Sequence, residues 1–258
     1  MFRSAFMILS AVAGAVFTNG SFEAGTPGSV PPGWIVNSFL NAVGVTIQNP
    51  QTVGGLNLSS GGVVATFILN SPAGPMSQPD PFLGNVASLR WPKYGRQAVV
   101  VNANSSDSFG HGRNANSLSQ VMTIGAGDVD AADGKVHIRF AFAPVLENAN
   151  HAAAQQPYYF IQLTNITRAT ILYTNFATAP EAGSGPRPPW KSMTASISGG
   201  DTEVDYTDWQ LVDISPGSPA INVGDEVTLQ IIASGCQPGG HAGYVLVDGP
   251  AVSPISPE

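Results

Sequence analysis

Short segments in which apolar and polar residues alternate recur along most of this chain. Their period of two is that of β-strands with one buried face, and clusters of Gly, Pro, Asn, Asp and Ser separate them. The segments are 44–49, 62–69, 96–103, 118–124, 135–143, 158–165, 170–176, 208–214, 226–234 and 243–249. Strands at this spacing, without intervening helices, predict an all-β domain that is either a sandwich or a barrel.

The composition also favours strands joined by turns. The 258 residues include 29 Gly and 21 Pro, 43% are hydrophobic and only 10% are charged. A chain of this length can bury a sizeable core, and Gly and Pro are turn formers. Two stretches rich in Pro and Gly, 70–84 and 177–192, predict long surface loops. Because no break in composition and no internal repeat divides the chain, we predict a single domain over residues 16–258.

The charge balance argues against a nucleic-acid binder. The formal net charge is −7, and the ten Lys and Arg residues are scattered along the chain. Nucleic-acid binders normally concentrate basic residues on one face. The acidic balance favours solubility and is compatible with cation binding.

The first 25 residues contain a short apolar run, 5–17, after a single Arg. The run is too short to span a bilayer comfortably, so we expect no stable membrane span. Its basic start and small residues are typical of a secretory signal peptide cleaved after Ala15. Alternatively, residues 1–15 are an apolar assembly segment that packs into a neighbouring subunit.

Aromatic residues in loop-like surroundings are candidates for sugar stacking. Trp91 and Trp190 each lie beside Pro and a cationic residue, and Tyr94 is close to Trp91. The alternative is that these rings pack loops onto the domain, as Trp is usually well buried. We expect Trp34 and Trp209 to be core residues.

Cys236 is the single cysteine and cannot form a disulfide within the chain. It could instead be a metal ligand, a nucleophile or a buried, inert residue. Cys236, His151 and His241 could bind zinc if the fold brings them together, or Cys236 and a His could form a nucleophile and base. The simpler interpretation is a buried, inert Cys236 and a Gly-Gly-His turn that shapes a hairpin into the last strand. The acidic cluster 127–134 is interpreted as a solvated turn. No Gly-x-Ser-x-Gly elbow and no phosphate-binding loop with Lys occurs.

Motifs at both ends resemble bacterial jelly-roll modules of the galactose-binding and carbohydrate-binding type. They are "NGSFEAG" (19–25), "PPGW" (31–34) and "YVLVDG" (244–249). The C-terminal half is similar to modules of large bacterial surface adhesion proteins, in "HAAAQQPYYFIQLTN" (151–165), "DWQLVDIS" (208–215) and "SGCQPGGHAGYVLVDG" (234–249). The chain departs from these modules at Ala242, where an aromatic residue is usual.

The resemblance implies a two-sheet antiparallel jelly-roll sandwich, secreted or on the cell surface. It also implies a structural calcium ion between the first and last strands, with Glu23 and Asp248 as ligands, although both could be ordinary surface carboxylates. The function expected first is a non-catalytic extracellular structural or adhesive subunit that self-associates into an oligomer or filament through its N-terminal segment. The alternatives are a carbohydrate-binding module that uses Trp91, Tyr94 and Trp190, and then a glycan-active enzyme with paired carboxylates.

Overall fold

Two antiparallel sheets packed face to face form the fold. The computed structural model describes residues 17–45, 52–103, 113–148, 150–179, 189–197, 200–217 and 221–250. Over these residues the chain forms the strands β1 Ile35–Leu40, β2 Ser59–Ser60, β3 Phe67–Asn70, β4 Gln78–Pro79, β5 Arg90–Trp91, β6 Gln97–Val101, β7 Asn114–Thr123, β8 Val129–Asp130, β9 Lys135–Val136, β10 Ile138–Asn148, β11 Tyr158–Asn165, β12 Thr170–Thr178, β13 Lys191–Ser196, β14 Asp201–Tyr206, β15 Gln210–Ile214, β16 Glu226–Ser234 and β17 Gly243–Asp248.

Sheet A has the strand order β12-β11-β16-β7-β1-β2, and sheet B has the order β13-β14-β10-β17-β6-β3, with β15 also paired to β10. Two short ribbons, β4-β5 and β8-β9, lie outside these sheets. This is the all-β, two-sheet antiparallel jelly-roll sandwich that the sequence predicts.

The core between the sheets follows from the alternation along each strand. Ile161 and Ile231 project inward from sheet A and meet Phe142 of sheet B in one buried cluster. Phe22, from the N-terminal turns, and Val247, from the last strand, belong to the same cluster. The beginning and the end of the described chain are therefore joined through one core, as the sequence predicts.

Two loop segments cover parts of the outer faces. Residues from the 71–91 connection, including Leu83 and Leu89, pack on the outer face of sheet B against Val100 and Tyr244. Val45 and Leu56 of the β1–β2 connection pack on the outer face of sheet A at one end of that sheet. These covers leave the other end of sheet A's outer face open.

Several expectations about individual segments are corrected. Residues 19–25 form turns rather than a first strand, because Asn19 and Phe22 have positive φ values of 51° and 59°. The segment 62–69 becomes a strand only from Phe67. The possible strand at 44–49 and the assembly or signal segment 1–15 lie largely or wholly outside the described residues.

The connection from β16 to β17 is an arch between the sheets, and the hairpin expected from the sequence is wrong. β16 pairs with β11 and β7 in sheet A, whereas β17 pairs with β10 and β6 in sheet B. Both strands are buried in the middle of their sheets, so each already has two hydrogen-bonded neighbours and cannot pair with the other. The arch carries Cys236 and His241 across one end of the sandwich.

Candidate functional site

A row of uncharged side chains crosses the open part of sheet A's outer face. Strand pairing places Thr174, Gln162, Gln230, Ser119 and Ile35 side by side on five consecutive strands. We call these five residues the amide row. Adjacent strands are about 4.8 Å apart, so the row spans about 19 Å.

The orientation of the amide row follows from the strand period. Residues on either side of Gln162 and Gln230 along β11 and β16, such as Leu163 and Leu229, are buried in the core between the sheets. Side chains alternate between faces, so the two glutamines project outward. Ile35, the end member of the row, and Val121, two residues from Ser119 along β7, are 59% and 51% exposed. Oγ1 of Thr174 is shielded from solvent. The polar groups of this neutral strip are therefore the amides of Gln162 and Gln230 and the hydroxyl of Ser119, with apolar neighbours.

The three aromatic residues predicted to bind sugar do not share one surface. Trp91 is only 6% exposed, and its Nε1 donates a hydrogen bond of 2.7 Å to the carbonyl of Pro79 on the outer side of sheet B. The solvent-facing ring expected for Trp91 is therefore not found. Trp190 packs against the core between the sheets, 6.2 Å from the ring of Tyr159. Tyr94 is half-buried, and its backbone N–H donates to Asp248.

Of the two tryptophans expected in the core, Trp34 is buried there and Trp209 is half-buried on the outer face of sheet B. Trp34 is buried in the core between the sheets, against Phe22 at a ring separation of 5.3 Å. Trp209 packs at the edge of the cluster on the outer face of sheet B, and its Nε1 donates to the carbonyl of Arg90 at 2.7 Å.

Glu23 and Asp248 converge on a single loop between β5 and β6. Oε1 of Glu23 accepts the backbone N–H groups of Arg96 at 2.6 Å and Gln97 at 2.8 Å. Oδ2 of Asp248 accepts the N–H of Tyr94 at 2.8 Å. Residues 225 positions apart in sequence are thus brought to one site, although Glu23 lies in a turn and not in a first strand.

The environment of Asp248 is unusual for a carboxylate. The residue is fully buried, and within the described part of the chain neither it nor Glu23 forms an ion pair. Burial raises the pKa of Asp248 to about 8, the nearby charge of Glu23 adds to the rise, and backbone N–H donors oppose it. Two carboxylates without a cationic side chain fit a bound cation, because hard cations prefer oxygen ligands.

Cys236, His151 and His241 lie together at the arch from β16 to β17. Their ligating atoms all lie within 4.8 Å of one another. Cys236 is fully buried, and burial raises the pKa of its thiol, so it is poorly suited to act as an exposed nucleophile. The sequence contained all three residues, but only the fold brings them into one cluster.

The acidic cluster at 127–134 is satisfied by cationic side chains. Asp130 pairs with Arg139 at 3.1 Å, and Asp133 pairs with His137 at 3.1 Å. The nearby Asp213 pairs with the same two cations. This agrees with a solvated surface turn.

Comparisons with known proteins find matches among solved structures only. No protein-family model and no curated protein matches the sequence. Nine solved chains have a similar structure. Three of them are the K2 cleaved adhesin domain of Lys-gingipain (12% identity, 89% of this chain, 94% of that chain, TM-score 0.35), the CBM28 carbohydrate-binding module specific for non-crystalline cellulose (15%, 92%, 94%, 0.33), and the enzymatically active domain of tailspike protein 4 of bacteriophage CBA120 (9%, 91%, 20%, 0.33).

The described residues include short helical turns only. None of these turns has the length and apolar character that crossing a membrane requires.

Proposed function

We propose that this chain is a non-catalytic extracellular module that adheres to neutral glycans through the amide row. The observation that carries the proposal is the pairing of Gln162 with Gln230 on the open part of sheet A, continued by Thr174 and Ser119 on the neighbouring strands. The amide row lies outside the covers formed by Leu83 and Leu89 on sheet B and by Val45 and Leu56 on sheet A, where an external ligand can reach it.

The chemistry of the row suits a ligand rich in hydroxyl groups. A Gln amide carries a carbonyl acceptor and N–H donors, the group types that pair with neighbouring sugar hydroxyls, which both donate and accept. The row carries no charge, which disfavours an anionic ligand such as nucleic acid. The exposed Ile35 and Val121 can contact the C–H faces of sugar rings, as apolar neighbours do in other ligand sites.

Trp91 is too buried to serve as an aromatic contact in this proposal. Phe176, two residues from Thr174 on the same face of β12, packs against the covered cluster, 5.9 Å from the ring of Tyr158, and borders the row as a half-buried apolar neighbour. Tyr94 and Trp190, both half-buried, stay predicted stacking residues at other positions. Self-association through residues 1–15 stays a prediction for a segment outside the described residues.

The test is retention by neutral polysaccharides in affinity electrophoresis, followed by a glycan array. Replacing both Gln162 and Gln230 with Ala removes at least two hydrogen bonds, each worth about 1 kcal/mol, so affinity should fall about tenfold or more. Gln210→Ala, on β15 of sheet B, is the matched control and should bind as the wild type does. Full binding by a folded Q162A/Q230A variant, or no retention of the wild type by any neutral glycan, contradicts the proposal.

We also propose that Glu23 and Asp248 bind a structural calcium ion. The support is their convergence on the 93–97 loop and the absence of a cationic partner among the described residues. Gly249 packs so closely on the carbonyl of Gly20 that a side chain at 249 would collide with it, so backbone carbonyls also lie near this site. Calcium would supply charge neutralisation there and would tie the N-terminal turns to the last strand.

A further inference from the structure

Three side chains from two separate connections meet at one end of the sandwich. Cys236 and His241 lie in the arch from β16 to β17, and His151 lies in the connection from β10 to β11. Cys Sγ and His ring nitrogens are the donor types that zinc prefers. Strand β17 separates the cluster from the carboxylate site, because His241 precedes the strand and Asp248 is its last residue. The cluster shares no residue with the amide row.

The distances are close to those of a zinc site. Sγ of Cys236 lies 3.4 Å from Nδ1 of His241, and all three ligating atoms lie within 4.8 Å of one another. In a tetrahedral site with the usual zinc–sulfur and zinc–nitrogen bond lengths, the sulfur and nitrogen ligands are about 3.5 Å apart. The Cys236–His241 pair already has this spacing, and the His151 donor atom lies within 4.8 Å of both.

The surrounding backbone holds the two connections against each other. The N–H of Cys236 donates to the carbonyl of His241 at 3.1 Å, which closes the arch into a tight loop. The N–H of Gln237 donates to the carbonyl of Gln155 at 2.9 Å, and the Gln155 side-chain amide donates to Oε1 of Gln237 at 3.2 Å. These bonds join the arch to the segment that follows His151, so the three donors are positioned before a metal arrives.

Two glycines allow the arch to turn back so sharply. Gly239 and Gly240 have φ values of 98° and 94°, a backbone conformation that residues with a Cβ rarely adopt. The turn they form separates Cys236 from His241 by five positions yet brings their side chains into contact.

One ring nitrogen of the cluster is buried without a hydrogen-bond partner. It is Nε2 of His151, which finds no partner among the residues that the structure describes and can act as a metal ligand in the tautomer with the proton on Nδ1. The backbone N–H of Ala242, next to His241, donates to the buried carboxylate of Glu147 at 2.8 Å, which holds this end of the arch in place.

We propose that Cys236, His151 and His241 form a zinc site that clamps the β16–β17 arch to the β10–β11 connection. Zinc replaces the thiol proton of Cys236, and that proton is released to the buffer. The three protein ligands leave a fourth position for water or an exchangeable ligand. Because the arch runs between the two sheets, the bound ion fastens them together at this end.

The test begins with the full chain stripped of metal by a chelator. One equivalent of zinc chloride should bind, measured by calorimetry and by elemental analysis after desalting, and should raise the melting temperature. Loss of a ligand should weaken zinc binding more than about 100-fold, since loss of an outer contact to a ligand already costs 10- to 100-fold. We therefore expect Cys236→Ser and His241→Ala to lose binding, while His137→Gln, which leaves all three ligands in place, should bind normally.

Cobalt binding to the unaltered chain gives a second measurement that does not depend on variants. Cobalt(II) bound through Cys236 should show a thiolate-to-metal charge-transfer band in the near ultraviolet and the visible bands of a tetrahedral site. Zinc should then displace the cobalt and remove these bands. Absence of the thiolate band, or equal zinc affinity in the folded Cys236→Ser variant, overturns the proposal.

Discussion

The buried carboxyl of Asp248 should make the stability of this protein depend on pH in a direction opposite to that of most carboxylates. Its pKa is raised from 3.8 to about 8 in the folded protein, chiefly by burial. The folded state therefore keeps a proton that the unfolded state has released between these two pH values. By linkage, the free energy of unfolding falls as pH rises through this window and is highest below the unfolded pKa.

The size of the effect follows from the two pKa values. At neutral pH the folded carboxyl is still mostly protonated. The free energy of unfolding is therefore about 4 kcal/mol lower at neutral pH than at acidic pH. For a chain of this length, that loss corresponds to a melting temperature lower by roughly 10 °C. The Asp248→Asn variant has no titrating carboxyl, so its stability should lack this component.

The measurement is denaturant unfolding of both proteins in chelator, at intervals between about pH 4 and about pH 8. The stability of the wild type minus that of Asp248→Asn should decrease by about 4 kcal/mol from acidic to neutral pH, because other titrating groups cancel in the difference. Calcium should remove most of this decrease in the wild type, since the cation takes the place of the proton. Parallel pH profiles for the two proteins would show that the reasoning about Asp248 is wrong.

Two further predictions concern ions and ion pairs. Chelation at neutral pH should lower the melting temperature of the wild type, and Glu23→Gln should abolish this sensitivity, whereas identical melting curves with and without chelator would refute the calcium site. Asp225, whose pKa is lowered to about 2 chiefly by its hydrogen bond with Arg168, accepts from Arg168 Nε at 2.7 Å. Asp225→Asn should cost about 1 to 2 kcal/mol at neutral pH, less than the full pKa shift implies because the Arg168 side chain is 36% exposed. This stabilisation is present above pH 3.8 and is lost as pH falls through about 2. Chemical denaturation should therefore show a smaller stability difference between wild type and Asp225→Asn at low pH than at neutral pH.

The alternating strands of the sandwich could be predicted from sequence because their signal is local. The segments 158–165 and 226–234 coincide with β11 and β16, since each buried strand alternates cleanly between core and surface residues. Strand β13, by contrast, lies partly within a stretch interpreted as a loop, and β14 was not predicted. Both carry mostly polar residues near the edge of sheet B, where alternation of hydrophobic side chains is weak.

The sequence by itself indicated an all-β fold and contained the inventory of chemical groups, and the resemblance to jelly-roll modules led us to expect Glu23 near Asp248. Only the tertiary structure decided which of those groups come together. The β16–β17 connection crosses between sheets instead of forming a hairpin, and this crossing brings Cys236 and His241 to His151. The amide row likewise depends on the registers of five strands that are distant in sequence. The physical reason is that local residue patterns determine strands, whereas the packing of whole sheets determines which strands become neighbours.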